Sequence, residues 1–231
     1  MQLTNLSNKE IKEISEKIAP KLLNHPFFMY YCKSEKDREG FIKDYFNYYL
    51  RKWIKSEIVL TDEGGNVIIT LISIENFHSK DKGMGLAKLK RNKSAYANVT
   101  YHQGNILYLS EIVAPAKIGT KIMMIFSTLK YRDEAEKLID EAIEIAKANN
   151  YMLVYETFSK KAGEILGAKD FEVAYEKLFQ GTQFFETIMT YYLHDKTKPV
   201  KLVEEFHPIT IHDDSLDNSE SSEEKGEYPE V

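Results

Sequence analysis

Cysteine is nearly absent from this chain. The single one, Cys32, excludes an internal disulfide, so packing alone must hold the fold, as suits a reducing compartment. No apolar run approaches the ~20 residues that a membrane span needs. The opening residues, MQLTNLSNKEIKEISEK, are polar where a signal peptide would be apolar, which makes the cytoplasm the expected location. Net basicity is missing too. The chain carries −5, and its last twenty residues hold eight acidic groups against one lysine, which leaves 30 basic and 28 acidic groups in residues 1–211. A near-neutral body with an acidic tail is not the electrostatic footprint of a nucleic-acid binder. The six histidines lack metal-site spacing, and there is no P-loop, dinucleotide fingerprint, nucleophile elbow or internal repeat.

What is present suits one large domain with an appendage. Of 231 residues 43% are hydrophobic, and 12 Phe and 15 Tyr add bulk to the core. Patterning runs through residues 1–195. Residues 196–231 form an acidic extension, and from about residue 212 it lacks the apolar content to repay the entropy of ordering.

Ser7-Asn8-Lys9-Glu10 reads as a capping box ahead of Ile11, Ile14 and Ile18 at helical spacing. Ser34 opens a longer helix with Phe41, Ile42, Tyr45, Phe46, Tyr49, Leu50 and Trp53 on one face. Two β-rich runs, 57–61 and 67–74, flank Asp62-Glu63-Gly64-Gly65-Asn66 as a hairpin. Residues 75–104 read as a long loop. Its cluster of Lys80, Lys82, Lys88, Lys90, Arg91 and Lys93, opposed only by Asp81, suits either a solvated surface or an acidic ligand. A strand follows at 106–113, a helix at 133–149 and a strand at 151–157. A short helix capped by Ser159 precedes two strands, 171–179 and 183–193.

This order, with three local stretches, resembles the Gcn5-related N-acetyltransferase (GNAT) family. Leu107-Tyr108-Leu109-Ser110-Glu111-Ile112-Val113-Ala114-Pro115 is similar to the family's fourth strand. Tyr155-Glu156-Thr157-Phe158-Ser159-Lys160-Lys161-Ala162 is similar to the fifth strand and the entry to the fourth helix. Phe171-Glu172-Val173-Ala174-Tyr175-Glu176 resembles the strand after it. The resemblance covers residues 1–195 and implies an α+β GNAT-like (acyl-CoA N-acyltransferase) fold, a mixed, mostly antiparallel twisted sheet flanked by helices. It implies acetyl-CoA as acyl donor, and a small-molecule or peptide amine as acceptor. No membrane and no nucleic acid are expected as partners, and a homodimer is left open.

The same resemblance assigns candidate residues. Glu111 on the fourth strand is the candidate general base, and Tyr155 on the fifth would face the acceptor. Ile112 and Val113 on the strand, with Lys117, Gly119, Thr120 and Lys121 in the turn past Pro115, would hold the cofactor through main-chain amides, charge and hydroxyl contacts. The family's Gln/Arg-x-x-Gly-x-Gly/Ala turn is not intact. Counting from Pro115 gives Ile118, Lys121 and Met123 at its defined positions. A second register counts back from Leu138-Ile139, places the turn at residues 130–135, and makes Thr120 to Leu129 an extra strand. The first is preferred for the match at Leu107 to Pro115. Leu166 also stands where many members carry a tyrosine that protonates the leaving thiolate, and Asp170 replaces a usual glycine. These departures sustain a second expectation, a GNAT-like acyl-CoA-binding or interaction module without turnover.

Overall fold

The computed structural model describes residues 1–77, 119–178 and 185–191. The expectations for the strand at 106–113, for most of the 75–104 loop with its basic cluster, and for the extension at 196–231 lie outside the described residues.

Helix α1 (Asn8–Ile18) starts at the capping box read from the sequence. Ser7 Oγ accepts from the Glu10 amide at 3.3 Å, and the Glu10 carboxylate accepts from the Ser7 amide at 2.8 Å. The proline at the first position of α2 (Pro26–Tyr31) needs no helical donor, which lets this short helix begin directly after His25. Helix α3 (Glu35–Ser56) buries the aromatic face expected of it, from Phe41 to Trp53. Arg38 ties the three helices together, because its guanidinium donates to the carbonyls of Leu23, Cys32 and Lys33. Strands β1 (Ile58–Thr61) and β2 (Ile68–Ser73) form the expected hairpin. Its turn closes around the Asp62 carboxylate, which accepts from the amides of Gly64, Asn66 and Val67, while Gly65 takes a left-handed φ of 57°. Helix α4 (Ile74–Phe77) is a single turn.

The second half reads β3 (Gly119–Phe126), α5 (Arg132–Asn149), β4 (Tyr151–Thr157), α6 (Lys160–Gly167), β5 (Glu172–Leu178) and β6 (Phe185–Tyr191). Asn150 ends α5 in the left-handed conformation, φ 55°, and Ser159 caps α6 through the Ala162 amide. The six strands lie in the order β1-β2-β3-β4-β6-β5. β3 and β4 run parallel with α5 as their crossover, and every other described pair is antiparallel.

Alternation along the strands sends side chains to two cores. Ile122, Met124 and Phe126 face α1, α2 and α3, together with Val59, Ile68 and Ile72. Met123, Leu153, Tyr155, Met189 and Tyr191 face α5 and α6, against Leu138, Ile139, Ala142 and Leu166. The sheet is therefore covered on both faces by helices, which is the α+β layering expected from the sequence.

A candidate active site where the central strands part

The parallel ladder between β3 and β4 runs from Gly119↔Tyr151 to Met123↔Tyr155 and stops. Both strands continue, but apart. β3 follows β2 through Ile125 and Phe126, and β4 follows β6 through Glu156 and Thr157. Each strand keeps its antiparallel neighbour and loses the rung across the gap. The opening lies at the carboxyl ends of the parallel strands, where α/β layouts bind ligands.

Helix α2 bridges the parted ends. The Phe27 and Phe28 rings each lie 5.8 Å from Phe126 at the end of β3, and Tyr30 stacks on Phe158 just past β4, at 6.1 Å and 17°. His25, at the start of α2, donates to the Ile125 carbonyl on the open stretch of β3, and its Nδ1 is enclosed without a hydrogen-bond partner. Burial holds the imidazole neutral, with its pKa lowered to about 4, and the Ile125 contact opposes this only in part.

The α2 side of the gap carries a perturbed carboxyl. Glu156, half-buried, has one oxygen closed to solvent, and burial pushes its pKa up to about 8, against a hydrogen bond from Glu186 that pulls it down. Glu186 is itself buried on β6. Tyr31 lies within electrostatic reach of both carboxyls. Burial first, then Glu156, Tyr30, Tyr45 and Glu186 raise its phenol far above the usual range. A carboxyl that still holds its proton near neutrality, beside the end of the parallel ladder, is poised to exchange it.

Tyr155 points the other way. It packs in the core under α5 and α6, with its phenol pushed up to about 12 by burial, relieved by a hydrogen bond with Thr157 and raised by Glu156. Strand alternation thus separates the tyrosine singled out in the sequence from the carboxyl that follows it.

Gly119, Thr120 and Lys121 are the first residues of β3, not a turn entering a helix. They occupy the end of the parallel pair remote from the gap. Lys121 is engaged by Glu57 at 2.9 Å, and the Glu57 carboxylate also accepts from the Ser73 amide, the Ser73 hydroxyl and Asn76. A Cβ on Gly119 would meet the Tyr151 ring at 3.0 Å, so this glycine serves close packing. The strand-to-helix connection falls at residues 127–131, and the preferred register gives way to the second one. Pro115 is followed by a further stretch before β3, and β3 is the strand that only the second register contains. The connection holds Ser127, Thr128, Leu129, Lys130 and Tyr131, with no glycine, and no side chain caps the first amides of α5. Lys21 and Lys130 sit over the Tyr131 ring at 5.3 and 5.5 Å. Glu111, Ile112, Val113 and Lys117 lie outside the described residues.

Sequence reasoning missed His25, Tyr31, Glu156 and Glu186 as site residues. The available signal was a carboxylate at the end of an otherwise apolar strand, Tyr151 to Thr157. Among the described residues no group of His, Cys, Asp and Glu is arranged to hold a metal ion, and no helix is long and apolar enough to cross a membrane.

No protein-family model matches the chain, and no curated protein does. Solved structures do. The C-terminal condensation domain of Ebony, in complex with beta-alanyl-dopamine, aligns with a TM-score of 0.53 at 9% identity, over 83% of this chain and 99% of that one. yncA from Salmonella typhimurium, solved with acetyl-CoA, aligns at 0.45 and 12% identity, over 87% and 97%. A GNAT-family acetyltransferase from Streptococcus pneumoniae aligns at 0.40 and 13%, over 84% and 100%. The fold is α+β and GNAT-like, a mixed sheet whose central parallel pair parts at its carboxyl end.

Proposed function

We propose that this chain is a divergent GNAT member that moves an acetyl group from acetyl-CoA to a primary amine, with Glu156 taking the proton that the amine must lose. One observation carries the reading: a proton-holding carboxyl sits beside a gap between the only parallel strands described. The gap suits an acyl-CoA arm, because positions on both parted strands lack a rung across it. The connection at 127–131 and the uncapped first amides of α5, helped by Lys130, would hold the diphosphate. Bound there, acyl-CoA would supply the thioester carbonyl that the amine attacks.

Glu156 works as a base only when ionised. With its pKa raised to about 8, the ionised fraction grows as pH rises through that value. The rate of amine-dependent thiol release should therefore climb between pH 6 and 8 and level off above. Glu156→Gln should lower kcat/KM by roughly 100-fold or more at pH 8. Glu111, followed by Ile112 and Val113, is the sequence's own candidate for the same role, so Glu111→Gln is the parallel variant. Acetyl-CoA should also raise the melting temperature of the full chain by mass action. If millimolar acetyl-CoA and CoA both leave it unmoved, the transferase reading fails.

A second reading has its own support. Every residue from 127 to 131 carries a Cβ where a diphosphate would approach the main chain. A chain that binds acyl-CoA without turning it over would show the thermal shift and release no thiol with any amine.

A further inference from the structure

Three lysines from separate elements line one strip of surface at the end of the sheet where β3 and β4 part. The β1–β2 turn reaches that end because Ile68, which opens β2, pairs with Phe126, which closes β3. The turn and the 127–131 connection are therefore neighbours. Lys21, in the 3-10 turn Ala19–Leu22 that follows α1, spans them. Its ammonium donates to the Asn66 side-chain oxygen in the hairpin turn, and lies 5.3 Å from the centre of the Tyr131 ring. Lys130 stands 5.5 Å from the same ring. Lys17 of α1 reaches the turn one residue earlier, where a Cβ on Gly65 would meet its ammonium nitrogen at 3.7 Å.

These charges are not answered. Among the described residues no carboxylate is ion-paired with Lys17, Lys21 or Lys130. Asp62, in the same turn, accepts instead from the amides of Gly64, Asn66 and Val67 and from the Asn66 side chain. Asn66 is thereby fixed with its oxygen toward Lys21. An amide oxygen and a ring face orient an ammonium without neutralising it, and N–H donors remain. Arg132 differs, because Glu136 holds it. Asp133 and Glu134 in the first turn of α5 offset the helix dipole, so the lysines and not the helix make the strip positive. Fixed, uncompensated cations suit a phosphate monoester, which carries a charge of roughly −2 near neutrality.

We propose that Lys21, with Lys17 and Lys130 beside it, forms a subsite for a phosphate monoester, filled by the 3′-phosphate on the ribose of the acyl donor. The attribution to the donor rests on the transferase reading; the subsite's taste for a phosphate monoester does not. The donor's arm enters the gap, its diphosphate lies at 127–131, and its nucleotide leaves across Tyr131 toward the hairpin turn. The chain then tells CoA from 3′-dephospho-CoA through α1 and the turn that follows it.

The test is titration calorimetry of the full chain at low salt with CoA and with 3′-dephospho-CoA. CoA should bind roughly tenfold tighter or more. Lys21→Met should bring the two affinities within about twofold, with dephospho-CoA binding unchanged, and Lys21→Arg should keep most of the preference. Lys17→Met should reduce it about threefold. A ratio of two ligands on one variant is not moved by a merely structural loss. Raising the salt should shrink the preference as well. Equal affinity for the two compounds, or a preference that survives Lys21→Met, overturns the proposal and leaves the transferase reading standing. If neither compound binds, adenosine 3′,5′-bisphosphate and 5′-AMP decide by thermal shift. A Lys21-dependent shift with the bisphosphate alone keeps the subsite while the transferase reading falls. No shift with either sinks both.

Discussion

His25 joins two jobs in one ring. It donates to the Ile125 carbonyl on the open stretch of β3, so a main-chain acceptor that has lost its rung is still satisfied. It also starts α2, which spans the gap. The imidazole stays neutral when folded, down to about pH 4, whereas the unfolded chain takes up a proton near pH 6.5. Protons therefore favour the unfolded chain between those values, and stability falls as pH drops from 6.5 toward 4, by up to about 1.4 kcal/mol per pH unit. Glu57 and Asp62 add losses of the same sign in acid. In each, burial raises the carboxyl, and the hydrogen bonds it accepts outweigh burial and lower it. His25→Gln retains an N–H for Ile125 and removes the titration. Urea midpoints at pH 4.5 and 7 should lie closer together in this variant than in the wild type. The sequence held the residue in plain sight, in His25-Pro26-Phe27, but its value as a hydrogen-bond donor depends on a strand a hundred residues later. Glu156 was nearer to legible, since strict alternation after Tyr155 puts it on the opposite face. Its partner Glu186 comes from a different strand, and nothing local announces the pairing.

At the scale of elements, the first helices and the hairpin were readable because their signals are local. A capping box, a seven-residue apolar face with five aromatics and an Asp-Gly-rich turn each act within a few residues. The parallel pair was not readable in that way. Two apolar runs, 106–113 and 119–126, compete for the place beside β4, and the choice depends on a pairing reached through the whole of α5. The chemistry of Lys121 follows from that choice. Placed in a strand, its ammonium neutralises the Glu57 carboxylate, whose side chain has no exposed surface. Lys121→Met leaves that carboxylate with Ser73 and Asn76 alone, and should cost about 3 kcal/mol, read as a drop in the urea midpoint with unchanged slope. If Lys121 instead served a diphosphate, the same variant would keep its stability and lose acetyl-CoA binding.

The whole molecule balances titrations of opposite sign. Glu156 keeps its proton in the folded state up to about pH 8, while in the unfolded chain it loses it near 4.5. The folded state then binds more protons across that window, so this residue's contribution to stability declines as pH rises from 4.5 to 8. His25 works against stability on the acid side. Stability should peak between the two and fall toward pH 8, where the proposed base becomes active. Glu156→Gln should thus be more stable than the wild type at pH 8.5, with the difference vanishing at pH 4.5, in thermal melts at the two pH values. A site that must ionise to work is stabilised least where it works best.

The seam between β3 and β4 has a mechanical consequence. Five paired positions join two antiparallel plates of three strands each, β1-β2-β3 and β4-β6-β5, and beyond the fifth the rings of α2 touch both plates, Phe27 and Phe28 on Phe126 and Tyr30 on Phe158. The seam is thus held from both faces, by α2 on one and on the other by α5, which packs on β1, β2 and β4.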